Sequence, residues 1–243
     1  MRDSRRVGVA CAASVMVSTA LDQRARRGSN PTAALHDLKV TPVPIIAAKR
    51  IIERGHYLHS LPGGTCLAFG PFVGRRLLGA VTFGVGPTLA HQLVEGAEPD
   101  DCLTLTRLWL SDGLPRNSES RVLGVILRSL RRYTDLKFLI SYSDPAAGHV
   151  GTVYQASGWL YTGLSSAMPL YDLGDGVARH PRSLGHSFGS RSVQHFKRHG
   201  VEVNLVPQAA KHRYVYFLDP SWCSRLAVSV LPYPKREAKD EGC

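Results

Sequence analysis

The sequence predicts a mixed α/β (α+β) domain, with a mostly antiparallel sheet built around a central βαβ unit and flanked by helices. Three observations predict it. The 243 residues are 44% hydrophobic and 20% charged, which supplies a sizeable core and excludes a wholly disordered chain. Apolar residues recur at helical spacing in two segments, 45–52 and 122–130. Short apolar or alternating runs lie between and after them, separated by glycine and proline as strands are.

The elements follow in chain order. Arg2, Arg5 and Arg6 precede a mildly apolar run diluted by Gly8, Ser14, Ser18 and Thr19. That run is too polar and too short for a membrane span, and is read as a poorly ordered extension over 1–38 rather than a secretory signal. A domain over 39–236 follows, then a tail over 237–243. Pro42 and Pro44 stand before a helix whose stripe is Ile45, Ile46, Ala48, Ile51 and Ile52, and Gly55 closes it. Residues 65–70 and 77–85 read as a hairpin turning at Gly74-Arg75-Arg76, and Cys102 to Leu110 as an alternating strand. A second helix places Val122, Leu123, Ile126, Leu127 and Leu130 on one side, with Asn117 or Ser118 as its cap. "KFLISYS" is a buried strand, 151–158 a short helix with a strand after it, and "HRYVYFL" a further strand. Residues 172–200 are basic and rich in histidine and glycine, and suit a DNA-facing loop. This order resembles that of GNAT-type acyltransferases.

Charge narrows the partners. Thirty lysines and arginines against 19 acids leave +11, an excess that suits a polyanion: nucleic acid first, an anionic membrane second. Arg128, Arg131 and Arg132 on the second helix, with Arg191, Lys197 and Arg198 beyond, are the candidate DNA-binding side chains. No later stretch looks transmembrane, so no membrane partner is expected. The five cysteines are scattered without a C-x-x-C pair, which suits reduced thiols in a cytoplasmic protein rather than a disulfide framework or a cysteine zinc site.

Three places could carry chemistry. "SYSDPAAGHVGTVYQASGW" delivers Ser141, Tyr142, Ser143 and Asp144 at a strand end, with Tyr154 and Gln155 on the helix after it. Asp144 there either caps that helix or accepts a proton and orients an amine. His149 is open between capping, packing and a ligand role. His56 and Tyr57 form a second pair, able to stack on a base or move a proton, or simply to pack a loop. His56 and His59 could share a metal, but no partner ligands stand out, so no metal site is assigned. Arg107, within an alternating strand, needs a core acid or a bound phosphate as its partner. A GNAT-type coenzyme A site carries a glycine-rich pyrophosphate loop, whereas "RNSESRVLG" lacks those glycines here. Asn117, Ser118 and the backbone amides of that helix start remain able to hold a phosphate.

The string S-Y-x-D-P-x-x-G-H-x-G-x-x-Y-Q-A, with "HYLHSLPGG" upstream and "LPYPK" near the end, resembles the Mom family of bacteriophage DNA-modification proteins over roughly residues 40–235. The resemblance implies a GNAT-like fold and conversion of adenine in DNA to an N6-carbamoylmethyl form, which hides phage DNA from host restriction in the host cytoplasm. It carries His56, Tyr57, Asp144 and Tyr154 over as catalytic positions, and Arg107 and Ser141 as donor-binding ones. Double-stranded DNA is then the substrate. The product implies an acyl donor with two carbons and one nitrogen, so glycyl-tRNA has the right atoms and tRNA becomes a second partner; an acyl-coenzyme A is the other donor class. Two alternatives stay open: a GNAT-type N-acetyltransferase acting on a protein or small amine, and a non-catalytic DNA-binding anti-restriction protein.

Overall fold

The structure is a computed structural model that describes residues 38–190 and 192–235. Apart from Leu38, the expected extension over 1–38 lies outside the described residues, as do the tail over 237–243 and Arg191.

The first strand, β1 (Leu38–Pro42), was not anticipated, because Pro42 and Pro44 read as a helix flank. It pairs antiparallel with β2 (Thr65–Val73) at the rim of the sheet, where proline's missing N–H is tolerated. α1 (Ile45–Gly55) buries Ala48 and Ile52 but leaves Ile45 and Ile46 of the expected stripe exposed. Gly55 is required by close approach, since a Cβ there would overlap the Trp109 indole. The hairpin of β2 and β4 (Gly79–Gly84), with the two-residue β3 (Arg76–Leu77) at its turn, leads into β5 (Cys102–Leu110).

β5, α2 (Ser118–Tyr133) and β6 (Phe138–Ser143) form the expected βαβ unit, with β5 and β6 parallel and the other pairings of the main sheet antiparallel. α2 buries Val122, Leu123, Ile126, Leu127 and Leu130 against Phe83, Leu105 and Leu139. On the other face Ala48 and Ile52 of α1 pack on Ala68 and Ala80. Asn117 takes the N-cap position, but it is left-handed (φ 65°) and makes no side-chain cap bond, and the fully buried Ser118 hydroxyl donates to the Pro115 carbonyl at 2.6 Å.

After α3 (Thr152–Ala156) and β7 (Leu160–Leu164), the chain leaves the sheet. Residues 172–200, expected as a loop, instead begin at the end of β8 (Leu170–Asp172) and fold into α4 (Pro181–Phe188) and α5 (Val193–Arg198). β9 (Asn204–Val206) pairs with β8 in a small separate ribbon, and Leu184 and Phe196 are buried. β10 (His212–Phe217) then inserts between β6 and β7, antiparallel to both. The main-sheet order is β1-β2-β4-β5-β6-β10-β7. "LPYPK", the end of the described residues, is bonded to the domain: the Tyr233 hydroxyl donates to the Trp159 carbonyl at 2.8 Å, and Gln155 Nε2 donates to the Pro234 carbonyl at 3.2 Å. Among the described residues, no helix is long and apolar enough to cross a membrane.

Candidate active site

The sheet is split at its middle. β5 and β6 pair from Cys102↔Phe138 to Leu105↔Ser141, after which β5 runs on to Leu110 and β6 stops at Ser143. β5 also carries a bulge there, since Thr82 faces Arg107 while Phe83 faces Leu105, leaving Thr106 unmatched. Thr106 instead bonds Thr82, hydroxyl to hydroxyl at 2.9 Å. The bulge breaks the alternation expected at Arg107, as such insertions do. A cleft of ≈ 780 Å³ opens at the split, within the roughly 300–1,000 Å³ typical of small-molecule sites.

Sequence-distant candidates meet in this cleft. His56 and Tyr57, from the turn after α1, line it with Arg107 of β5, Asp144 at the end of β6, and Tyr154 of α3. Gly55 sets the first pair by laying the end of α1 on Trp109.

His56 is 7% exposed, and its Nδ1 accepts the Leu58 N–H at 3.1 Å, which assigns the ring proton to Nε2. Burial, helped by the nearby Arg107, His149 and His59, pushes its pKa down to about 4, so the ring is neutral at pH 7. Tyr57 is 49% exposed, stacked on His56 at 4.5 Å between centroids and tilted against His149 at 5.4 Å.

Tyr154 packs in the core against Trp159 and Tyr214, at 5.2 and 5.3 Å, so no face of its ring is free to stack. Its phenol is hydrogen-bonded to Ser141, and burial pushes it up to about 12. Ser141 itself is fully buried beneath the cleft, with its hydroxyl 3.4 Å from the Leu105 carbonyl.

Asp144 does not cap α3, whose N-cap is Gly151; its Oδ1 accepts the Ala146 N–H at 3.0 Å at the start of the 3-10 turn Pro145–Ala147, and its Oδ2 lies 3.5 Å from Lys211 Nζ. Arg107 has no acid at its two mapped bonds: Nε donates to the Ser60 carbonyl at 2.9 Å and Nη1 to the Thr106 carbonyl at 2.7 Å. Carbonyls do not neutralise it, so its charge is kept in the cleft, while burial lowers its pKa.

Other candidates lie elsewhere. Asn117 and Ser118 do not line the cleft, although Glu119 beside them does. Arg131 Nε donates to the Leu218 carbonyl at 2.9 Å, just beyond the Phe217↔Phe138 pair. Asp144 follows Ser143 at the opposite end of those strands, roughly 17–20 Å away. Arg128 and Arg132 are exposed on the same last turns of α2. Lys197 and Arg198 are exposed on α5, outside the cleft lining. His59 Nδ1 lies 3.0 Å from the Glu53 carbonyl, and the described residues hold no group of three or more His, Cys, Asp or Glu placed to bind a metal.

The sequence reading missed Lys211, just before β10, and Arg213 on it, which both line the cleft. Their alternation in K-H-R marks one strand face, but nothing local says that this strand lies beside β6. It also missed an apolar rim: Val85, Leu89 and Met168 line the mouth at 66%, 62% and 51% exposure.

Residues 37–235 match the Mom protein family. The chain is 31% identical over 207 residues to the methylcarbamoylase mom of Escherichia phage Mu, covering 82% of this chain and 84% of that one. Similar solved structures include the ribosomal-protein-S18-alanine N-acetyltransferase of Escherichia coli (10% identity, TM-score 0.42, 75% of this chain and 94% of that one). Another is spermidine N-acetyltransferase of Vibrio cholerae (8% identity, TM-score 0.42, 75% and 96%).

Proposed function

The chain belongs to the Mom protein family, and from that membership we propose that it is a transferase that converts adenine in double-stranded DNA to N6-carbamoylmethyladenine and so shields phage DNA from restriction. The observation that carries the site assignment is that His56, Tyr57, Asp144 and Tyr154, drawn from three separate segments, line one cleft with room for a purine.

The exocyclic nitrogen of adenine is a weak nucleophile and is paired in duplex DNA, so the base leaves the stack to react. Tyr57, half-exposed and already layered on His56, is the stacking platform. Asp144, fixed by the Ala146 N–H and by Lys211, orients the amine and accepts its proton. His56 is neutral at pH 7 and acts through Nε2–H as a hydrogen-bond donor rather than a base. Tyr154, held protonated by burial, donates to the oxyanion that forms when the donor carbonyl is attacked. Lys211, Arg213 and Arg107 hold the flanking phosphates.

A glycyl ester such as glycyl-tRNA is the donor. Glu119 in the cleft repels a pyrophosphate but suits the ammonium of a glycyl group. Attack by the adenine nitrogen on the ester carbonyl releases the carrier's hydroxyl. The glycine amine then attacks the ring carbon and expels the original nitrogen, which ends as the terminal amide.

Nucleoside mass spectrometry of DNA from expressing cells tests this, with Asp144→Ala alongside. A carbamoylmethyl adenosine absent from the variant is the expected result. Unmodified DNA with the wild-type chain favours a binding module, and acetylation of free amines from acetyl-coenzyme A favours an acetyltransferase. Labelling the adenine exocyclic nitrogen tests the migration, since label retained on the ring-attached nitrogen excludes it.

A further inference from the structure

Two buried polar side-chain atoms among the described residues have no hydrogen-bond partner: Trp159 Nε1 and Ser143 Oγ. Trp159 sits in the core, away from the cleft, and points to no ligand. Ser143 is different. It is the last residue of β6, just past the point where β5 peels away, is 7% exposed, and lines the cleft immediately before Asp144. A buried hydroxyl left unbonded is unfavourable, and native structures rarely keep one without a use. Its neighbour across the sheet, His212, is occupied elsewhere, with Nδ1 2.9 Å from the Tyr161 hydroxyl.

We infer that Ser143 is a base-recognition residue, whose hydroxyl completes its hydrogen bonding only when the target adenine enters the cleft. This rests on the adenine-modifying reading above and deepens it. Asp144 offers an acceptor and Ser143, one residue earlier, a donor. Adenine presents the matching edge, an N6 amino donor beside a ring-nitrogen acceptor at N1 or N7. Guanine places O6 where the amine should be, and thymine places O4 there, so each turns an acceptor toward the carboxylate. Cytosine shares adenine's pattern on a single ring, so two adjacent side chains select an amino-bearing base over an oxo one, and the purine's second ring adds the stacking area that cytosine lacks. The cost of the empty hydroxyl falls on the unliganded protein.

The test compares wild type, Ser143→Ala and Ser143→Thr, expressed in cells at matched levels, with nucleoside mass spectrometry of the DNA and thermal melting of each purified chain. Ser143→Ala is expected to melt at or above wild type, since it removes an unbonded buried hydroxyl, and to lose about tenfold or more of the modified adenosine. Ser143→Thr, which keeps the hydroxyl, is expected to recover part of the yield lost in the alanine variant. Unchanged modification in Ser143→Ala overturns the inference, and so does a lowered melting point, which would make the hydroxyl a structural one. Wild-type DNA without the modification would instead overturn the functional reading beneath it.

Discussion

Lys211 Nζ lies 3.5 Å from Asp144 Oδ2, joining the start of β10 to the end of β6 across 67 residues of sequence. The side chains are 29% and 17% exposed, so the pair is screened only in part, and its worth to the fold is within ~1 kcal/mol. Its weight falls on the chemistry. Lys211→Ala should lower the yield of modified adenosine about tenfold or more while moving the melting temperature by only a few degrees. Asp144→Asn, which can still accept the Ala146 N–H, should fold and make no product. An active Asp144→Asn would remove the carboxylate from the mechanism.

The two tyrosines should separate by substitution. Tyr57 is half-exposed and in the proposed reaction acts through its ring, so Tyr57→Phe should keep most of the activity and Tyr57→Ala lose it, neither melting much lower. In the proposed reaction Tyr154 acts through its hydroxyl, so Tyr154→Phe should abolish modification and destabilise by about 1 kcal/mol through the lost bond to Ser141. Activity assays and denaturation curves on the three variants check this, and a fully active Tyr154→Phe would count against its role as donor.

His56 predicts a pH dependence of stability. Its pKa falls from 6.5 to about 4 on folding, so between those values the folded chain binds fewer protons than the unfolded one. The contribution is therefore complete above about pH 6.5 and is lost as pH falls toward 4, at up to about 1.4 kcal/mol per pH unit. Urea titrations at pH 7 and pH 5 should show the loss, and His56→Gln should flatten it.

The apolar rim predicts a duplex-specific defect. Leu89 is 62% exposed at the mouth of a cleft that also carries Lys211 and Arg213, where an apolar side chain can fill the gap left by an extruded base. Leu89→Ser should leave the melting temperature unchanged and reduce modification of plasmid DNA in cells. Full modification by that variant would leave the rim without a part in opening the duplex.

Gln155 should prove structural. Its Nε2 reaches the Val150 carbonyl at 2.9 Å, the Tyr214 hydroxyl at 3.2 Å and the Pro234 carbonyl at 3.2 Å. Gln155→Ala should cost about 1–3 kcal/mol. Limited proteolysis should then cut near residues 231–235 faster than in the wild type.

Local patterns in the sequence carried much of the fold. The stripe of α2, the apolar run of β6 and the alternation of β5 are each set by neighbours a few residues away, so their periods are visible in one dimension. The H-Y pair and the S-Y-x-D…Y-Q string likewise sit in short segments. What escaped depends on distance in the chain. β10 pairs with β6 across some 70 residues, and no spacing in "KHRYVYFL" announces it, so Lys211 and Arg213 went unread. Arg131 looked like free basic surface, although its guanidinium is tied to the Leu218 carbonyl. Residues 172–200 gave only charge and glycine, because Leu184 and Phe196 find their burial in tertiary contacts rather than in a repeating stripe.

The late insertion of β10 bears on how the protein matures at the ribosome. Until residues 211–217 have emerged, β6 and β7 have unfilled flanks and the Asp144 carboxylate lacks its cation. The arrangement proposed for catalysis is thus incomplete until β10 is in place. A chain released before Lys211 would lack both the strand that fills the sheet and the ammonium that faces Asp144.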